Sequence, residues 1–460
     1  MFRRLTLFVA SACFLSIDDA VSQQTQTLVL SLAQCEELAL ENNIKVMDAN
    51  SGLALSRAKQ AQASHARFLP KFSLNQIVGA APRARGEFTS TGVLTSPDTS
   101  TGLSDLRPFT ELTLDLIQPI WTFGKLSRLN DAAAYGVRAG EADVAAKKAD
   151  VRLQVRKLYW GLVLGYQLLD VVEGAMTEVE RADSTLQAKL DEGSDEVSQN
   201  DLFKLQLFRY EINKRHRDAL DKIELGKSAL RAAIGLDEST DFELATKSLD
   251  PLDVSVDSLS FYVDLAKRNR PERDQLRAAI DARKSLSRAF RSDYFPQLFL
   301  GGQVKYNRAS DRFDPRNPFV YNPTNFFRPG LVLGLNWNLN FIQTRDKVRI
   351  AQFESARLMQ NEVVLDRGIE LEVKKAYLAA KQAQSNLRES RRALKASDNW
   401  LRAEAQTFDL GISEVKDFID AFRANGTMEA EHLQNIFKFN TSLAELSKAV
   451  GRDFYPNGSR

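Results

Sequence analysis

The stretch Gly330–Asn340 reads GLVLGLNWNLN and alternates large apolar residues with small or polar ones. Successive side chains of a strand point to opposite faces, so this pattern predicts a β-strand with one apolar face. Two other stretches alternate in the same way, FTELTLDLIQP from Phe109 and PQLFLGGQVKYN from Pro296. A further stretch, FSLNQIV from Phe72, alternates less well. The sequence therefore predicts four strands, each near the 9–11 residues that a tilted membrane strand needs.

The apolar face of these strands has two possible neighbours. A sheet lying on a soluble core would alternate in the same way. Three features favour lipid: a predicted export signal, no helix left over to cover the face, and long polar loops at one end of the strands. The predicted lipid-facing residues are Leu112, Leu114, Leu116, Leu331, Leu333, Leu335 and Trp337.

Four strands cannot close a membrane barrel, because the smallest single-chain barrels use about eight. An open sheet edge in lipid would leave backbone N–H and C=O groups unpaired, which a bilayer does not tolerate. The sequence therefore predicts a transmembrane β-barrel that several subunits share.

The N-terminus predicts secretion. An arginine pair, the apolar run Leu5–Ile17 and small residues up to Ser22 form a signal peptide over residues 1–22. A lipoprotein signal with Cys13 acylated is the alternative.

The mature chain keeps only Cys35, so no internal disulfide is expected. No mature segment offers the run of about 20 apolar residues that a membrane helix needs.

The composition gives no support to an enzyme or a nucleic-acid binder. The formal net charge is +2, so there is no basic excess. The 3 histidines are far apart, and no Gly-rich phosphate loop or recognisable nucleophile is present. No cofactor and no metal site are expected.

The chain repeats itself. FLPKFSL at Phe68 matches YFPQLFL at Tyr294 with an offset of 226 residues, and three later landmarks match in the same order with offsets of 216–218 residues. Each unit is too long for a solenoid repeat of roughly 20–50 residues, so the sequence predicts one large unit used twice. Repeat 1 covers about 32–236 and repeat 2 about 257–452, with strand–loop–strand insertions at about 68–120 and 294–341.

Each repeat predicts a helix before its strands and a very long helix after them. The first helices cover about 32–67 and 257–293, and the long ones about 125–190 and 345–408. At 1.5 Å per residue the long helices would measure roughly 95–100 Å. Their apolar residues recur every seven positions, which predicts side-by-side packing in a left-handed supercoil. The expected fold is thus mainly α, with a coiled-coil helical tunnel and a membrane β part.

Five motifs carry a resemblance: ALENN, FLP, YFP, FIQTRDKVRIAQ and LGISEVKDFIDA, in this order across nearly all of 23–452. With the duplicated element order, they resemble the TolC-like outer-membrane efflux channels. The resemblance implies a homotrimer in the outer membrane of a Gram-negative bacterium, with a 12-stranded barrel and a 12-helix periplasmic tunnel. It implies a passive exit duct for a tripartite efflux pump or type I secretion system, with a periplasmic adaptor and an inner-membrane pump as partners.

The resemblance also assigns the turns between long helices. Asp417 and Asp420 match acids that ring the closed end of the tunnel, although acids at a helix N-terminus also suit the helix dipole. Ser413 stands where the family's best-known member has an Arg that helps to lock the closed state. A lock in this chain would therefore use a different residue, with Lys416 as the candidate. The implied adaptor-contacting residues are Gly193, Ser194, Glu196, Val197, Gly411, Ile412, Glu414 and Val415.

Two other functions compete with the duct. A periplasmic adaptor is also exported and coiled-coil, but it carries one helical hairpin between compact β domains, whereas this chain has two hairpins. A structural coiled-coil protein of the cell envelope would need no alternating strands with Asn-, Thr- and Lys-bearing faces.

Overall fold

The structure of the protein is a computed structural model, which describes residues 28–88, 91, 93–99, 105–191, 198–312, 314, 319–410 and 413–454. The expected signal peptide, with Cys13, lies outside the described residues. So do most of the first turn between long helices and two residues of the second, Gly411 and Ile412.

Two short helices precede the strands in each half, where one had been predicted. Helices α1 (Leu32–Asn42) and α2 (Ile44–Phe68) are separated at Asn43, whose side chain accepts a hydrogen bond from Lys45 N at 3.0 Å and caps α2. Helices α5 (Leu259–Asn269) and α6 (Pro271–Arg291) are separated at Arg270. Here the break follows from Pro271, which has no backbone N–H to continue α5.

The two long helices are present as predicted. Helix α3 (Lys125–Asp191) has 67 residues and α7 (Phe341–Asp409) has 69. Each is followed by a returning helix of 36 residues, α4 (Gln199–Ile234) or α8 (Val415–Val450). Both returning helices end at a glycine with a φ of 73°, a left-handed conformation that a residue with a Cβ disfavours.

Four strands form one antiparallel sheet in the order β2-β5-β7-β8. Its order places the two hairpins side by side. The strands are β2 (Lys71–Pro82), β5 (Leu106–Trp121), β7 (Gln297–Ala309) and β8 (Phe326–Asn336).

The predicted bounds of the strand at 330–340 are wrong at both ends. Strand β8 begins at Phe326 and stops at Asn336, because its partner β7 begins at Gln297, the residue that pairs with Asn336. Trp337 is therefore not a strand residue. Its indole Nε1 instead donates to the Tyr294 carbonyl oxygen at 3.1 Å, beside the start of α7.

The sheet has one apolar and one polar face, as the alternation predicts. Across the strands Leu74 pairs with Leu114, Leu114 with Val304, and Leu300 with Leu333. The apolar face is largely uncovered: Leu74 is 63 % exposed and Leu331 79 %. The opposite face carries polar residues, but it also includes Ile77, Phe109, Ile117, Phe299 and Val332. Its polar members are Lys71, Ser73, Asn75, Arg107, Glu111, Thr113, Asp115, Gln303, Lys305, Asn307 and Arg328.

Two further strand pairs were not predicted. Strands β3 (Ala84–Phe88) and β4 (Leu94–Thr99) form an antiparallel ribbon within the segment expected to be a loop. Strands β1 (Leu28–Leu30) and β6 (Phe242–Leu244) pair in parallel. This second pair joins the N-terminal segment to the connection between the two halves.

The main core lies where α1, α3, α5, α7 and the ends of α4 and α8 meet. Both returning helices end in this core: α4 ends at the break between α1 and α2, and α8 ends at the break between α5 and α6. The Asn43 side-chain amide donates to the Ala233 carbonyl of α4 at 2.9 Å, and Arg270 Nη1 donates to the Ala449 carbonyl of α8 at 3.2 Å. The same joint is thus built twice with different side chains.

The helix packing places α2 and α4 at one side of the protomer and α7 at the other. Beside the sheet, α3 packs against α2 and α6, and α6 packs against α7. Farther from the sheet, α3 packs against α4 and α8, and α8 packs against α7. No helix among the described residues has both the length and the apolar content that crossing a membrane requires.

Candidate functional site

Four helix ends meet around an apolar cluster far along the chain from the sheet. The last turns of α3 and α7 contact the first turns of α4 and α8 there. Two buried side chains from the first pair, Leu186 and Phe208, pack in the same cluster as Phe408 and Ile419 of the second pair. The cluster holds the candidate gate region of the chain in place.

The second turn is fixed on the end of α7. The Ser413 hydroxyl donates to Glu404 Oε2 at 2.7 Å, and the Ser413 backbone N–H donates to the Thr407 carbonyl at 3.3 Å. The rings of Phe408 and Phe418 stack with centroids 5.0 Å apart. Ser413, predicted as a gate residue, therefore joins the turn to α7.

The two predicted gate acids lie on the first two turns of α8. Asp417 is exposed and forms no ion pair within the described residues. Asp420 lies 3.6 Å from Arg423, between Oδ1 and Nη1. Lys416, the predicted lock, is exposed and has no ion-pair partner in the part of the chain that the structure describes.

The link between the two hairpins is formed by Arg423, which the sequence reasoning missed. Its Nη2 lies 3.6 Å from Glu211 Oε2 on α4, and its guanidinium lies 5.1 Å from the centre of the Phe208 ring. Phe208 also meets the ring of Phe422 edge-to-face at 6.1 Å. The only sequence signal was the position of Arg423 three residues after Asp420, on the same exposed side of α8.

The first returning helix starts with a reciprocal cap. Ser198 N–H and Ser198 Oγ both donate to Asp201 Oδ2, at 3.1 and 2.7 Å, and Lys204 donates to Asp201 Oδ1 at 3.0 Å. Burial alone would raise the pKa of Asp201, but these hydrogen bonds outweigh it and hold the pKa below its usual value. The predicted turn residues Gly193, Ser194, Glu196 and Val197 lie outside the described residues.

The seam between α7 and α8 contains polar pairs along the second hairpin. Ser390 Oγ lies 3.0 Å from His432 Nδ1, and the Asn425 amide donates to Asp398 Oδ1 at 2.6 Å. Burial, aided by Arg391, lowers the pKa of His432. Polar side chains in a helix seam specify its register, so these contacts fix how α7 and α8 align.

The described residues contain no group of three or more His, Cys, Asp or Glu side chains placed to hold a metal ion. The acids of the second turn are spaced along one helix and face outward.

Comparison with known proteins agrees with this architecture. Residues 262–452 match the family described as outer membrane efflux protein. A comparison with curated proteins found no match.

Solved outer-membrane channels share the fold over nearly the whole chain. The CmeC outer membrane channel of Campylobacter jejuni is 17 % identical with a TM-score of 0.72, covering 97 % of this chain and 94 % of that one. The open state of the MtrE outer membrane channel of Neisseria gonorrhoeae is 16 % identical with a TM-score of 0.72, covering 92 % and 89 %. The outer membrane protein VceC of Vibrio cholerae is 16 % identical with a TM-score of 0.70, covering 92 % and 97 %. The resemblance to the TolC-like outer-membrane efflux channels is thereby confirmed, in fold along the chain and in sequence over residues 262–452.

Proposed function

We propose that the protein is a passive exit duct, built by three copies that share a β-barrel in the outer membrane and a helical tunnel in the periplasm. The observation that supports this most is that the unpaired edges of the sheet and of the helices lie on the same two sides of the protomer. On one side β8 runs into α7, and on the other α2 runs into β2. In lipid, both strand edges require partners.

The α7 side carries an apolar stripe that nothing in the protomer covers. Its members are Ile342, Phe353, Val364, Leu371 and Leu378, each between 52 % and 69 % exposed. They lie opposite the buried row of Val373, Ala380 and Leu387 on the same helix. A second helix is needed to bury this stripe.

The other side carries matching apolar side chains on α2 and α4. Ile44 and Leu55 of α2 are 81 % and 57 % exposed, and Phe203, Leu207 and Tyr210 of α4 form a stripe that is 53–73 % exposed. The two sides are different surfaces, so copies join head to tail, and such contacts form a closed ring when the rotation between copies is a whole fraction of a turn. The resemblance sets the number of copies at three.

The ring places each face of the sheet in a suitable medium. The leucine-rich face meets lipid, and the polar face lines the water-filled bore, as in outer-membrane barrels generally. The internal duplication is part of the proposal. Its support is the pair of joints at which α4 ends on the Asn43 break and α8 on the Arg270 break.

The gate lies at the far end from the membrane. Three copies of Asp417 and Asp420 would place six carboxylates around a narrow opening, which favours cations and repels anions. The two turns, including Glu414 and Val415, would contact a periplasmic adaptor that joins the duct to an inner-membrane pump. Arg423, through Glu211 and Phe208, would keep the two hairpins together in the closed state.

Planar-bilayer recording tests both the duct and its gate. The purified protein should conduct ions, and added multivalent cations should block the current from the periplasmic side. Asp417→Ala with Asp420→Ala should raise the cation concentration for half block at least about tenfold. Each charge some 8 Å from an ion contributes about 0.5 kcal/mol even in water, and the six charges of a ring together exceed the roughly 1.4 kcal/mol that a tenfold change requires. Glu431→Ala, an exposed acid farther along α8, is the matched control and should leave block unchanged. Equal block in both variants would refute the acidic ring, and absence of conductance would refute the duct.

A further inference from the structure

Two cations stand directly opposite each other on the polar face of the sheet. Lys305 of β7 pairs in register with Arg328 of β8. Like charges at directly opposed positions destabilise an antiparallel strand pair. Neither side chain forms an ion pair within the described residues.

The Arg328 guanidinium is held in one place. Its Nη1 donates to the Tyr321 hydroxyl at 3.0 Å, and its Nη2 donates to the Asn322 carbonyl at 2.7 Å. Its central carbon lies 4.4 Å from the Tyr321 ring centre and 4.0 Å from that of Phe326. The residue remains exposed, so a positioned guanidinium loses little further freedom on meeting an anion.

Acids of the same face lie on a different strand. Glu111 and Asp115 belong to β5, where Thr113 between them is the residue opposite Lys305. Asp115 accepts a hydrogen bond from the Gln303 amide at 2.6 Å. On this face β5 thus carries two carboxylates and Arg107, which is paired with Asp105 and Asp311, whereas β7 and β8 carry Lys305 and Arg328.

We infer that Lys305 and Arg328 form a weak binding subsite for small dissolved anions on the wall of the bore. The inference rests on the proposed function, which makes the polar face the bore wall. Arg328 is the third residue of β8, so the subsite lies at the end of the sheet farthest from the helices. The duct would then carry basic residues near its outer mouth and acids at its periplasmic gate, and anionic groups on a departing solute would be drawn outward.

Reversal potentials across a potassium chloride gradient test the subsite. The gate acids are first removed by Asp417→Ala with Asp420→Ala, so that the gate does not set the selectivity. On that background, Lys305→Gln with Arg328→Gln should lower the chloride-to-potassium permeability ratio by about twofold or more, since the removed charges act on ions a few ångströms away through water. Arg328→Lys should retain most of the ratio.

Arg308→Gln is the matched control. Arg308 lies near the same end of β7 but pairs with Thr110 on the other face of the sheet, and its side chain is 64 % exposed. It should leave the permeability ratio unchanged. A conducting channel whose ratio is the same in the double variant and the control overturns the subsite alone, whereas a protein without conductance overturns the proposed duct and the subsite together.

Discussion

Replacement of Gly451 by alanine should destabilise the protein by about 2–5 kcal/mol, the sum of a left-handed backbone penalty and an overpacking penalty. Gly451 has a φ of +73°, and an added Cβ would lie 2.6 Å from the Asn269 carbonyl oxygen and 2.8 Å from its carbon. These are backbone atoms at the end of α5, so they cannot rotate away. The α8–α6 joint must therefore open, and thermal unfolding followed by circular dichroism should start at a lower temperature.

Two further variants test whether the effect of Gly451→Ala arises at the joint. Gly235→Ala at the equivalent joint should behave similarly, because its Cβ would lie 2.6 Å from the Asn42 Cβ at a φ of +73°. Gly174→Ala in α3 meets nothing within 4 Å and should stabilise the helix by up to about 1 kcal/mol. If all three variants unfold at the same temperature, the glycines do not act through the joints.

Replacement of Arg156 by alanine should destabilise the protein by about 3–5 kcal/mol, as expected when one member of a buried ionic group is removed. The Arg156 side chain is 9 % exposed. It donates from Nε to Glu36 Oε1 at 2.6 Å and from Nη1 to Asp453 Oδ1 at 2.9 Å. One guanidinium thus ties α1 and the C-terminal segment to α3, and its loss leaves two carboxylates without their shared cation.

The geometry of the guanidinium makes the result specific. Arg156→Lys keeps the charge but cannot fork between two carboxylates, so it should recover only part of the stability. Arg57→Ala removes an exposed pair with Glu141 at 3.4 Å and should change stability by less than about 1 kcal/mol. A loss no larger for Arg156→Ala than for Arg57→Ala would show that the ionic group does not hold this region.

Periodic patterns predicted the long elements of the fold. The seven-residue repeat of α3, with Val144, Val151 and Leu186 buried, was sufficient because each residue's burial depends on its own helix face. Alternation likewise predicted the faces of the sheet. It failed at Trp337, because where a strand ends depends on its partner and not on its own pattern.

Features set by contacts between distant segments could not be predicted. The pairing of Leu28 with Phe242 leaves no local pattern in three-residue strands. Arg423 resembled any exposed helix cation until α4 and α8 were seen to approach each other. The break at Asn43 is set by a side-chain cap on a sequence whose apolar spacing continues unchanged, whereas Pro271 was a visible signal of the second break.

Cysteine cross-linking between the two sides of the protomer tests the ring most directly. Leu55 lies 13 residues before the end of α2, and Phe353 lies 12 residues after the start of α7, so both stand about 20 Å from the sheet at 1.5 Å per residue. Both are exposed, at 57 % and 66 %. Cys35 should stay inert, because burial, with a smaller effect of Glu36, raises the pKa of its thiol to about 12.

Oxidation of membranes containing Leu55→Cys with Phe353→Cys in one chain should yield covalent dimers and then a covalent trimer as the final product. Either substitution alone should yield monomer. Leu55→Cys with Leu378→Cys should also yield monomer, because Leu378 lies 25 residues beyond Phe353 along α7. A trimer formed only by the matched pair is the result that a head-to-tail ring predicts. Monomer alone, or the same products from the mismatched pair, would contradict the shared duct.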